Sequence, residues 1–140
     1  MKVKLIDFGV PESQRPFRPH GNDAGADVYM PYDYTLQPGE IVKVPLGFGI
    51  KVPDGYAGFV FPRTSMAIKG LVCELPPVDS GYCGEIHAII SNVSSKPQKL
   101  SKGSRVGQLV ITPVVIADFV TDWARSAEPE DLGVPGHKRG

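Results

Sequence analysis

Asp79 and Tyr82 stand three residues apart in Pro77-Val78-Asp79-Ser80-Gly81-Tyr82-Cys83-Gly84-Glu85-Ile86, a Gly-bounded turn that runs into a β-rich stretch. An ionised carboxylate held there can take a proton from an attacking water. A phenol ring beside it can pack flat on a sugar. The same residues also serve plain structure, because an Asp in a turn can bond its own backbone and a Tyr can fill a core. A second group, Arg63-Thr64-Ser65, follows the β-rich run Tyr56 to Phe61 and opens a short helical turn. A guanidinium, two hydroxyls and backbone N–H groups could converge there on one anion, which is phosphate-binding chemistry. The alternative is an ordinary capped helix with a surface Arg.

Two further segments carry polar groups at strand positions. Gly25-Ala26-Asp27 leads into the strand-like Asp27 to Tyr29, so its carboxylate can lie beside a cation or a basic residue. Lys102-Gly103-Ser104-Arg105-Val106-Gly107-Gln108-Leu109 reads as a tight turn feeding a strand, with Arg105 and Gln108 offering planar donors to an acid or phosphate. Other chemistries lack their residues. His20, His87 and His137 are scattered without ligand spacing. No Ser-His-Asp or Cys-His arrangement supports a covalent nucleophile. What remains is attack of water on a phosphate, with any metal brought by the substrate.

The elements that must hold these residues are strands. Met1 to Leu5 alternates apolar residues with Lys, while Ile41 to Val52, Ile86 to Val93, Val106 to Val115 and Phe119 to Val120 are β-rich. Turn signals at Gln37-Pro38-Gly39, Pro53-Asp54-Gly55, Ser94 to Pro97 and Ser101-Lys102-Gly103 separate them. Short strands at spacings of about ten residues predict an all-β sandwich or barrel. The one helical segment expected is Thr64 to Lys69, capped by Thr64 or Ser65.

Composition narrows the class. With 140 residues, 41% of them hydrophobic, the chain can bury one core without disulfides or metals. The 16 Gly and 14 Pro fit frequent turns rather than disorder, given the β-branched and aromatic residues between them. Fifteen basic residues balance fifteen acidic ones, so no broad positive field exists to hold a nucleic acid. Cys73 and Cys83 read as two reduced thiols of a cytoplasmic protein. No apolar run approaches the ~18 residues of a membrane span, and no signal-like N-terminus precedes the first strand. A single domain over residues 1–123 is expected, followed by a polar tail, 124–140, with two Pro and three Gly. Open strand edges and that tail fit an oligomer.

In order along the chain, Ala24-Gly25-Ala26-Asp27, Pro62-Arg63-Thr64-Ser65-Met66-Ala67, Val78 to Ile86 and Gly103-Ser104-Arg105-Val106-Gly107-Gln108-Leu109 resemble four of the five motifs of the trimeric deoxyuridine triphosphatases, the dUTPases. The resemblance spans residues 3 to about 122. It implies a jelly-roll-like β-barrel or sandwich, a homotrimer with active sites at subunit boundaries, and hydrolysis of dUTP to dUMP and pyrophosphate. Asp79 would activate the water that attacks the α-phosphate in line. Tyr82 would stack under the deoxyribose and exclude a 2′-hydroxyl. The main chain around Leu75 to Ile86, Val78 included, would read the uracil edge. Arg63, Thr64, Ser65 and Gln108 would hold phosphates. Asp27 would lie near a Mg2+ bound mainly by triphosphate oxygens and water.

The chain departs from the family pattern in three places. The segment from Arg63 to Asp79 is short, and the place of a substrate-contacting Asn falls near Glu74, whose charge, if it lines the pocket, must be tolerated or neutralised. Ser104 stands where an Asp is usual. The fifth motif, a Gly-rich arm that closes over substrate, is missing from residues 124–140. A chain with this tail is expected to bind substrate but turn it over poorly, and the tail is either a natural divergent one or the product of a frameshift. With codons chosen within the code for Arg125 to Lys138, moving the frame by two bases gives Lys-Arg-Gly-Thr-Gly-Arg-Phe-Gly-Ser-Thr-Gly-Thr and a stop. The alternatives to a dUTP hydrolase are a non-catalytic dUTPase-like nucleotide-binding or regulatory module and a dCTP deaminase relative. The deaminase family needs a Glu three residues before the strand-end Asn, where this chain has Ile89.

Overall fold

The computed structural model describes residues 1–122. The tail expected over 124–140 lies outside the described residues. Ten strands and one α-helix follow one another: β1 (Lys4–Asp7), β2 (Ala26–Tyr29), β3 (Tyr34–Leu36), β4 (Ile41–Pro45), β5 (Phe48–Lys51), β6 (Tyr56–Phe61), α1 (Thr64–Ile68), β7 (Leu71–Glu74), β8 (His87–Asn92), β9 (Gln98–Leu100) and β10 (Arg105–Pro113). A 3-10 turn covers Glu12–Gln14.

The strands form four antiparallel ladders, β1-β5, β2-β10-β6, β3-β9 and β4-β8-β7. The expected all-β class holds, but no barrel closes among the described residues. Proline and glycine explain the breaks. The run Ile41 to Val52 becomes two strands in different ladders, since Pro45 ends pairing and Gly47, at φ +83°, turns the chain. Gly47 also sits against Val10, where a Cβ would lie 3.1 Å from the Val10 Cα.

Strand alternation sets the core. Along β8, Ala88, Ile90 and Asn92 are fully buried, whereas His87 and Ile89 are half-buried on the opposite face. The inward residues join Val28, Met30, Leu36, Val44, Phe48, Ile50 and Val106 in one cluster spanning all four ladders. Each large side chain fully withdrawn from water contributes about 1.5–3 kcal/mol. The buried Asn92 is satisfied. Its Nδ2 donates to Leu36 O (3.1 Å) and Lys96 O (2.9 Å), and its Oδ1 accepts from Ser94, fixing the β8–β9 corner.

Three local expectations change. The first strand is Lys4–Asp7 rather than Met1 to Leu5, because Leu5 and Ile6 find Ile50 and Gly49 across the ladder. Phe119 and Val120 form no strand; they are 96% and 85% exposed, for β-rich sequence needs a partner edge and the described residues offer none here. Neither Thr64 nor Ser65 caps α1. The N-cap is Arg63, at φ −86° and ψ 152°, without a side-chain cap bond. Thr64 and Ser65 occupy the first helical positions, one step too late to reach back, so their hydroxyls stay outside the helix ladder.

Both cysteines are free. Cys73 is buried on β7, and burial, followed by the neighbouring Glu74 charge, pushes its thiol up to about 11. Cys83 is exposed. No described helix is long and apolar enough to cross a membrane.

Candidate active site

One rung of the β2-β10-β6 sheet builds the first half of the site. Gln108 pairs with Asp27 on one side and with Phe61 on the other, so the three share a face. Just beyond Phe61 the chain turns through Pro62 into Arg63 and α1, and Gln108 Nε2 donates to Pro62 O at 3.1 Å, pinning that exit. A β-bulge between Arg105 and Gly107 re-aims the start of β10, and Arg105 Nη1 meets Asp27 Oδ2 at 3.6 Å. The Asp27 side chain is only 13% exposed, so this pairing offsets part of its desolvation. Gly25 completes the packing. A Cβ there would fall 2.7 Å from Gln108 Cβ and Oε1, so only glycine lets the amide lie against β2.

Around this rung opens a concavity of about 590 Å³ that brings Arg63, Thr64, Ser65 and Gln108 together with Asp27 and Arg105. Arg63 Nη1 lies 3.5 Å from Ser65 Oγ. Guanidinium, hydroxyl and amide donors thus face one space, the arrangement that oxyanions require.

The second half is the Asp79 turn. Val78 exchanges two main-chain bonds with Gly58 of β6, N to O at 2.8 Å and O to N at 3.0 Å, which fixes the residue before Asp79. The turn is closed by the main chain, Tyr82 N to Asp79 O at 3.0 Å. Asp79's carboxylate is therefore not spent on holding its own turn, and the residue is exposed. Tyr82 is no core residue either, being 45% exposed. Its hydroxyl donates to Glu85 O at 2.9 Å, and its ring crosses Gly84, where a Cβ would sit 2.4 Å from the phenol oxygen. Glu85 in turn accepts from Gly47 N at 2.8 Å, tying this turn to the β4–β5 corner. Gly84→Ala is expected to push the ring out of place; with the deoxynucleotide substrate that the dUTPase resemblance implies, KM should rise several-fold and the preference over a ribonucleotide narrow. Steady-state kinetics with the two sugars checks it, and unchanged constants would show that the ring position is immaterial.

Asp79 and Tyr82 line a concavity of about 230 Å³ with Pro76, Pro77, Val78 and His87. It exists because two strands part. β7 pairs with β8 from Leu71↔Asn92 to Glu74↔Ile89, and then β8 continues to His87 against β4 alone. Pro76 and Pro77 line the gap and have no N–H to offer β8, so β8 beyond Ile89 has no partner strand on this side. A flat polar ring can complete the missing rungs.

The structure therefore gathers the sequence-derived residues into two groups rather than one. No residue lines both concavities. Glu74 lines neither; it ends β7 and accepts from Ser91 Oγ at 3.2 Å. Sequence reading missed Lys43 and His87, which face the Asp79 concavity. The signal was the period-2 pattern of β4 and β8, whose pairing Pro45↔His87 and Lys43↔Ile89 puts both on one face.

A family model described as dUTPase matches residues 12–136. The chain belongs to the dUTPase family. The deoxyuridine 5'-triphosphate nucleotidohydrolase of Leifsonia xyli subsp. xyli is 41% identical over 119 residues, 82% of this chain and 78% of that protein. The protein of the same name from Cutibacterium acnes is 43% identical over 121 residues, 84% and 79% of the two chains. Among solved structures, the Staphylococcus bacteriophage 80alpha dUTPase superposes with a TM-score of 0.78 at 22% identity, covering 87% of this chain and 96% of that one. The dUTPase fold is thus confirmed by shape as well as by sequence.

Proposed function

We propose that this dUTPase-family chain hydrolyses dUTP to dUMP and pyrophosphate. The observation that carries the reading is the Asp79 turn: a carboxylate not used by its own turn and a ring held over Gly84 by its bond to Glu85 O share a cleft where two strands part. The uracil would slot between the Pro76-Pro77 segment and the β8 edge, with Val78 anchoring the wall. Tyr82 would support the deoxyribose. Asp79 would take a proton from water as the water oxygen bonds to the α-phosphorus; the bond from that phosphorus to the bridging oxygen breaks, and pyrophosphate leaves with the electron pair. Arg63, Thr64, Ser65 and Gln108 would hold the phosphates. Glu74, bonded to Ser91, would stay at the rim, tolerated because it is exposed.

The two halves lie in separate concavities of one chain, so a complete site needs the Asp79 turn of one copy beside the phosphate rung of another. A homotrimer with sites at its boundaries meets that need. The exposed apolar stretch Val115, Ile116, Phe119 and Val120 supports association.

Magnesium fits as a substrate-borne ion. The described residues hold no group of three His, Cys, Asp or Glu able to bind a metal. Asp27, already paired with Arg105, would serve as an outer partner through water. When bound, Mg2+ would neutralise triphosphate charge. A variant of the S. aureus phage phi11 dUTPase coordinates a structural Mg(II) ion, which supports magnesium as the metal without locating it in this chain, and a variant of the 80alpha dUTPase carries dUpNHpp, which supports the nucleotide substrate. The cytoplasm, where nucleotide pools are used, is the location the reading implies.

For residues 124–140 the proposal is a domain boundary near 123 and a shifted reading frame beyond it. Reading the gene decides that point, since a coding sequence unable to yield the Gly-rich peptide removes it. The activity itself is tested by pyrophosphate release from dUTP, dCTP, dTTP and UTP. Release from dUTP alone is expected. Nucleotide binding without any release would favour a regulatory module, and release of ammonia from dCTP a deaminase.

A further inference from the structure

A second cleft adjoins the phosphate concavity, and its charge differs. It measures about 550 Å³ and shares Asp27, Arg63, Ser65 and Arg105 with its neighbour, but extends past the end of α1 to Lys69 and across to Lys99 on β9. Its charged lining is four cations, Arg63, Lys69, Lys99 and Arg105, against one carboxylate, Asp27. The phosphate concavity has Arg63 and Arg105 against Asp23 and Asp27, an even balance with His20 neutral. The whole chain is also balanced, so a local excess of three positive charges is not a by-product of composition.

Three of these four cations, Arg63, Lys69 and Lys99, form no ion pair among the described residues. Arg105–Asp27 is the one ion pair among the described residues. Gln98 Nε2 donates to Lys69 O at 3.2 Å, bracing β9 against the end of α1 and setting Lys69 and Lys99 on the walls of one cleft. The potential therefore grows more positive from the triphosphate site into the cleft.

We propose that this cleft is an exit subsite for pyrophosphate, the leaving group of the reaction proposed above, on which the assignment rests. Before the bond breaks, the phosphates are tethered to the nucleoside and stay over Arg63, Ser65 and Gln108. Once freed, the diphosphate anion can follow the gradient towards Lys69 and Lys99, vacating the site without retracing the entry of substrate.

Titration of the full chain with inorganic pyrophosphate, followed by calorimetry and by 31P resonance, tests this. Lys69→Gln combined with Lys99→Gln is expected to weaken pyrophosphate binding by at least about tenfold, to raise its product-inhibition constant alike, and to leave KM for dUTP within about twofold. Both lysines are exposed, so the fold should persist, which circular dichroism verifies. Pyrophosphate binding that is unaltered by the double substitution, or matched by sulfate at equal ionic strength, overturns the subsite. A parallel rise in KM for dUTP overturns it too, by making the lysines part of the substrate site. The two readings fail separately. A chain that binds pyrophosphate through the lysines but never hydrolyses dUTP refutes the exit role and the hydrolase reading while leaving an anion site; one that hydrolyses dUTP with lysine-independent pyrophosphate binding refutes the subsite alone.

Discussion

Asp79→Asn is expected to lower the rate of pyrophosphate release from dUTP by about 10²- to 10⁴-fold, the range a positioned general base supplies. The amide keeps the size and polarity of the carboxylate but cannot accept the water's proton. The turn should survive, because Tyr82 N bonds the Asp79 carbonyl and not its side chain. KM and the thermal midpoint should therefore move little. Measuring kcat, KM and unfolding on the same preparation separates lost chemistry from lost structure. A variant turning over like the parent would remove Asp79 from the reaction.

Mixing two crippled chains should produce the second large effect. Arg63→Ala disables the phosphate half and Asp79→Asn the water-activating half, and the two halves line different concavities of one chain. Each variant alone should be almost inactive. When the two are unfolded together and refolded in equal amounts, random assembly should give about one quarter of the boundary sites an intact half from each copy. Activity should then recover to about a quarter of the parental value. A mixture no more active than its separate components would mean that each site belongs to a single chain.

How much of this could be read from the sequence depended on how local the cause was. The Asp79 turn and the placement of Arg63, Thr64 and Ser65 at the start of α1 were legible because they follow from residue type and short spacing. The helix was legible too, within a residue, although its cap was not: whether a hydroxyl reaches an amide depends on which residue enters the helix first, and that fell to Arg63. The strand at Phe119 and Val120 was misread because propensity records a preference for a partner without supplying one. The separation of the two halves was hidden for a related reason. Asp27 meets Gln108 only through the register of β2 against β10, and Val78 is anchored by Gly58 on β6, pairings between residues far apart in the chain. Gly25 and Gly84 showed as motif letters, but their reasons, the Gln108 amide and the Tyr82 ring lying where a Cβ would be, needed coordinates.

The gap where β7 leaves β8 has a bearing on how such a pocket can evolve. Discrimination written in peptide carbonyls and amides is shielded from most point mutations, because every amino acid other than proline carries the same backbone groups. On the proposed reading, side chains such as Lys43 and His87 can drift around the rim while the choice of base stays put. Retraining the pocket for another pyrimidine would require re-routing the path of residues 75–86, by insertion or deletion, rather than exchanging one residue for another.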